Sequence, residues 1–149
     1  MRAVIAVVTL ALSIGIVAAP VGAAALHTTF PVAGTFINPC TGEAIAFTGN
    51  MQVLIGQSDD GAGALELTMH SDFHGVTGVG VLTGKRYEIP MDSGQIMSVG
   101  RPPVTVTQSN DFRVISGTES FSGRFPLRVT VSLTDGLRMS VGPLQLACE

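Results

Sequence analysis

The chain has 149 residues, of which 8 are Lys or Arg and 11 are Asp or Glu, giving a formal net charge of −3. An acidic balance with no basic cluster leaves no electrostatic footprint for nucleic acid or for an anionic membrane surface, and both are excluded as partners. Charged residues are 13% of the chain against 46% hydrophobic, enough apolar material for one packed core.

Met1 and Arg2 make a short positive end, and residues 3–19 are almost wholly apolar, broken by Thr9, Ser13 and Gly15. Pro20 and Gly22 interrupt the run, and Ala23-Ala24-Ala25 fits cleavage after small residues. This reads as a signal peptide over 1–25, followed by a single all-β domain over 26–149, secreted or otherwise extracytoplasmic. The run is slightly shorter than the roughly 20 apolar residues of a spanning helix. No stable membrane span is expected once it is removed.

The rest of the chain repeats strand signals and contains no capped window of helical periodicity. Strands are expected at 28–37, ended by Asn38-Pro39, and at 44–56. A turn at Ser58-Asp59-Asp60-Gly61-Ala62-Gly63 then folds the chain back into 64–74. Residues 76–90 continue as a further strand and 95–99 as a short one, stopped by Pro102-Pro103. Residues 104–108 and 112–115 are read as a hairpin across Ser109-Asn110-Asp111, with a polar loop or edge at 116–123. Leu127, Val129, Val131 and Leu133 share one face, and Asp135-Gly136 turns the chain into Leu137, Met139 and Val141. Gly142-Pro143 shifts the phase of the last segment. About eight short-linked strands make an antiparallel β-barrel, with a β-sandwich as the alternative.

Cys40 and Cys148 are the chain's two cysteines, one near each end of the domain. In an oxidising compartment they are expected to pair, placing the first and last strands side by side as barrel closure requires. No CxxC spacing or adjacent histidine marks either as a metal ligand.

Residues 65–87 hold the densest chemistry. Leu65, Leu67, Met69, Ser71 and Phe73 fall on one strand face, and Glu66, Thr68, His70, Asp72 and His74 on the other. His70, Asp72 and His74 are the candidate catalytic residues, as an acid/base pair if their face lines a barrel interior. A shared metal is disfavoured, because at roughly 3.4 Å per residue the two histidine backbones stand about 13–14 Å apart and zinc–nitrogen bonds are only about 2.0–2.1 Å long. The apolar row is the longer one, so it is expected to face inward, leaving the histidines outside.

Gly75, Gly78, Gly80 and Gly84 match neither a dinucleotide fingerprint nor a P-loop, and are read as a bend. Lys85, Arg86 and Tyr87 are candidates for holding an anionic ligand. No nucleophile elbow or zinc-protease motif occurs. No metal site and no cofactor is assigned, and the oligomeric state is left open.

Asn38-Pro39-Cys40-Thr41-Gly42-Glu43, then His74-Gly75-Val76-Thr77-Gly78-Val79-Gly80, Thr83-Gly84, Tyr87 and a cysteine near the C-terminus, together resemble a group of small exported bacterial proteins of unknown function. The resemblance implies export and paired cysteines, and it implies nothing about catalysis. Three functions remain, in this order: a binding protein holding a small apolar molecule in its barrel, a surface or interaction protein with a filled core, and an enzyme of the barrel cyclase or isomerase kind.

Overall fold

The computed structural model describes residues 24–91 and 94–148. The expected signal segment therefore lies outside the described residues, apart from Ala24 and Ala25, which open the first strand. The described chain is all-β without a helix, one nine-stranded antiparallel sheet curled strongly into a half-barrel. No helix in it is long and apolar enough to cross a membrane.

The strands are β1 (Ala24–Ile37), β2 (Ala44–Asp59), β3 (Leu65–Gly80), β4 (Arg86–Glu88), β5 (Gly94–Gly100), β6 (Val104–Ser116), β7 (Glu119–Ser132), β8 (Gly136–Val141) and β9 (Gln145–Cys148). The sheet runs β1-β2-β3-β4-β6-β7-β8, while β5 joins β3 and β9 joins β7. Each of two long strands therefore carries an interrupted neighbour on one edge. β3 carries β5 beside Leu65–Ser71 and β4 beside Thr77–Val79. β7 carries β8 beside Leu127–Ser132 and β9 beside Phe121–Arg124. The break in the second case falls at Gly142-Pro143, where the Gly142 amide donates to the Pro126 carbonyl at 2.8 Å.

Alternation decides which face is core. Val53 and Ile55 of β2, Leu65, Leu67 and Met69 of β3, Val104, Val106 and Val114 of β6, and Leu127 and Val129 of β7 all point inward and are buried. β3 changes phase at Gly75, which takes a left-handed φ of 63° inside a register shift opposite Thr48 and Asn50. Glycine occupies that dihedral without the Cβ clash other residues meet. Phe73 and Val76 consequently both reach the interior, the first half-buried and the second buried.

Three segments fold otherwise than the sequence reading expected. Residues 104–116 form one continuous strand, and the expected turn at Ser109-Asn110-Asp111 lies in its middle, with Asn110 buried. The actual turn follows at Gly117-Thr118, with Gly117 at φ 60°. The expected polar loop at 116–123 largely belongs to β7, where Phe121 is fully buried. Residues 76–90 are divided between the end of β3, a turn at 81–85 and β4.

Candidate functional site

Among the described residues β1 has its ladder with β2 alone, and β8 and β9 pair only with β7, so the two ends of the curled sheet face each other without a shared ladder. At one end this seam is tied shut. Cys40 and Cys148 form a disulfide across it, with Cα atoms 5.2 Å apart and a sequence separation of 108. Just inside, the Phe36 ring of β1 meets Phe121 of β7 edge-on, centroids 5.9 Å apart. The expected pairing and neighbour relation of first and last strands are thus present, made by side chains instead of a ladder.

The tied end is a network in which the Asn38-to-Glu43 segment acts as a plug. Asn38 is fully buried. Its Oδ1 accepts from the Cys40 and Thr41 amides at 2.9 and 3.3 Å, and its Nδ2 donates to Glu119 Oε1 at 2.8 Å. Glu43 accepts from the Thr83 amide and hydroxyl at 2.9 and 2.7 Å, fixing the β3–β4 turn. The Thr83 bonds hold the Glu43 carboxyl below its ordinary value, and those from Lys85 and Asn38 do the same for Glu119. The Lys85 ammonium, bound to Glu119, is correspondingly raised.

The candidate anion ligands belong to this end. Lys85 is engaged by Glu119 and lies 5.7 Å from the centroid of the Tyr87 ring. Tyr87 is only 2% exposed, a core side chain whose phenol burial pushes up in pKa. Arg86 is exposed. Arg86 and Tyr87 border a shallow outer cleft of about 570 Å³ with Glu88, Ile115 and Ser116. Lys85 is not among the residues that line this cleft.

His70, Asp72 and His74 lie on the outer face of β3, the first two half-buried and the third exposed. Their cross-strand partners on β2 are Leu54, Gln52 and Asn50. Among the described residues no group of three His, Cys, Asp or Glu side chains is placed to hold a metal ion.

Away from the tied end, the seam opens into an apolar slit of about 80 Å³. Val32 and Phe36 of β1 form one lip, and Val141, Gly142 and Leu144 form the other. Phe47, Met51, Val76 and Ile89 line its walls. Phe73, Phe112 and Phe125 close its inner end as a layer of three rings with centroids 5.9 to 6.1 Å apart. Gly123 makes room for that layer, since a Cβ there would overlap the Phe112 ring.

Behind the rings the interior turns polar. Ser71, Gln108 and Asn110 are buried, and the Ser71 hydroxyl donates to Asn110 Oδ1 at 2.6 Å. Among the described residues the buried side-chain atoms without a hydrogen-bond partner are Gln108 Nε2 and Oε1. Sequence reasoning missed both the slit and this trio. The trio had a signal, an unbroken two-residue alternation from Val104 to Val114 in which Gln108 and Asn110 hold core positions. No known protein family, curated protein or solved structure matches the chain.

Proposed function

We propose that this is an exported binding protein that takes a slender apolar group, such as the end of an alkyl chain, into the slit between β1 and β8. The observation that carries the reading is an apolar opening on the seam where the sheet's two ends face each other without a shared ladder. Burial of apolar surface is the driving force, about 0.8 kcal/mol for each methylene removed from water. The volume sets the ligand's width. About 80 Å³ is less than the roughly 150 Å³ cavity in which benzene is held and well below the roughly 300 Å³ at which drug-sized pockets begin. A slender chain tip matches that volume. Export is supported by the leader-like N-terminal sequence and by a disulfide of the kind that persists in oxidising compartments.

The small volume equally favours a second reading, an interaction protein whose barrel is filled by its own side chains. The outward placement of His70, Asp72 and His74 gives the cyclase or isomerase reading no support. The first two are separated by amide spectra of ¹⁵N-labelled protein in buffer equilibrated with hexane vapour. Saturable shifts confined to the slit, at residues such as Val32, Phe47, Val141 and Gly142, are expected. Val141→Phe, which fills the slit with its own ring, should abolish them while the protein stays folded. Absence of saturable shifts in the unaltered protein would reject apolar binding in favour of the interaction protein.

A further inference from the structure

We infer that Ser71, Gln108 and Asn110 form a polar subsite for the uncharged, hydrogen-bonding head of an amphiphile whose tail occupies the slit. The inference rests on the proposed apolar binding and names the rest of the ligand.

Three observations carry it. Gln108 is 4% exposed, yet neither atom of its amide has a partner among the described residues. Leaving such groups unpaired inside a protein forfeits the hydrogen bonds they made to water, so a partner from outside the chain is favoured there. The trio also adjoins the slit. Phe73 and Phe112 are the next inward side chains after Ser71 and Asn110 on their strands, and Phe125 is the cross-strand partner of Asn110. Successive inward residues stand roughly 7 Å apart, the reach of a short alkyl chain. Of the three intervening rings Phe73 is only half-buried, and this ring would have to turn aside for the head group to enter. Finally, space is kept for the Gln108 amide by Gly94, where an added Cβ would overlap Nε2.

The chemistry of the head follows from the side chains. The trio supplies no charge, and an ion moved there from water would meet no counter-charge from it, which disfavours a carboxylate or an ammonium. Gln108 offers one donating and one accepting atom side by side. A carboxamide answers both at once, an alcohol answers them in turn, and an alkane answers neither.

Hexane, hexanamide and sodium hexanoate are the probes, titrated against the full chain by NMR. Hexanamide should bind at least tenfold more tightly than hexane, shifting the side-chain amide signals of Gln108 and Asn110, and hexanoate should show no such gain. Gln108→Met should remove the hexanamide advantage and leave hexane binding unchanged. Gly94→Ala, which displaces the Gln108 amide while keeping all three side chains of the trio, should act in the same direction and decides the matter if the methionine variant does not fold. Equal binding of hexane and hexanamide, or an advantage that survives both substitutions, would overturn the subsite and assign the Gln108 amide to an internal water, with the slit reading intact. Failure of hexane itself to bind would reject the slit reading and this one with it.

Discussion

The two halves of the seam between β1 and β7–β9 are built on opposite principles. At the tied end, Asn38, Glu43, Thr83, Lys85 and Glu119 satisfy one another, and a disulfide ties the β1–β2 loop that carries Asn38 and Glu43 to β9. A few residues further along, the same two sheet ends part around an apolar void, and behind it an amide is left unpaired. Complete satisfaction of polar groups gives rigidity and a single arrangement. Incomplete satisfaction within an otherwise consistent core is where a partner from outside can contribute free energy, and local departures of this kind gather at functional sites. The tied end is therefore the frame, and the open stretch is the site.

That contrast can be broken from the frame side first. Replacing both Cys40 and Cys148 by Ser should have the largest effect. The chain-entropy model gives about 4–5 kcal/mol for a loop of this length, or a fall in Tm of about 10–15 °C, with affinity for hexane falling as the lips of the slit separate. An unchanged Tm in calorimetry would show that the bridge is not what ties the seam. Asn38→Ala comes next, because it strands the Cys40 and Thr41 amides and one acceptor of Glu119. A loss of about 2–3 kcal/mol is expected in urea unfolding.

Filling the site should act in the opposite sense. Val141→Phe is expected to leave Tm within a few degrees of the original while abolishing hexane binding, since the added ring occupies space that the frame does not need. A large fall in Tm would mean that the slit is smaller than the structure shows.

Acid should weaken the frame selectively. Glu43 and Glu119 are held below their ordinary value of 4.5, so the stability they contribute is fully present above about pH 4.5 and is lost as pH falls through their lower folded values. Lys85 is raised above 10.5, so its contribution is full below that pH and is lost as pH rises through its folded value. Glu119→Gln should flatten the acid limb of a Tm-against-pH curve, and an unaltered limb would place the acid sensitivity elsewhere. The smallest effect is expected on the outer face of β3, where His70→Ala with His74→Ala should change stability by no more than about 0.5 kcal/mol and leave hexane binding as it was.

The sequence made the disulfide and the buried face of β3 legible, and the polar network of the frame and the site almost not. Leu65, Leu67 and Met69 alternate with Glu66, Thr68 and His70, and that period alone decides which face is buried. The cysteines declare their pairing by number and position. β6 was harder to read, because Ser109-Asn110-Asp111 is a cluster of turn-forming residues, and only the continuing alternation through Val114 shows that Asn110 is a core residue. The slit has no local signal at all. It exists because β1 and β8, more than a hundred residues apart, approach without pairing, and that depends on how far the whole sheet curls.

The measurement that tests the central claim most directly is the mass of the protein isolated from its native source, recorded under native and then denaturing conditions. A non-covalent adduct of an uncharged, chain-bearing molecule, lost on denaturation and absent from the Val141→Phe variant made in the same cells, is the predicted result. A single mass under both conditions, two hydrogens below that of the reduced chain and with nothing attached, would contradict the claim and leave the interaction protein as the account of this fold.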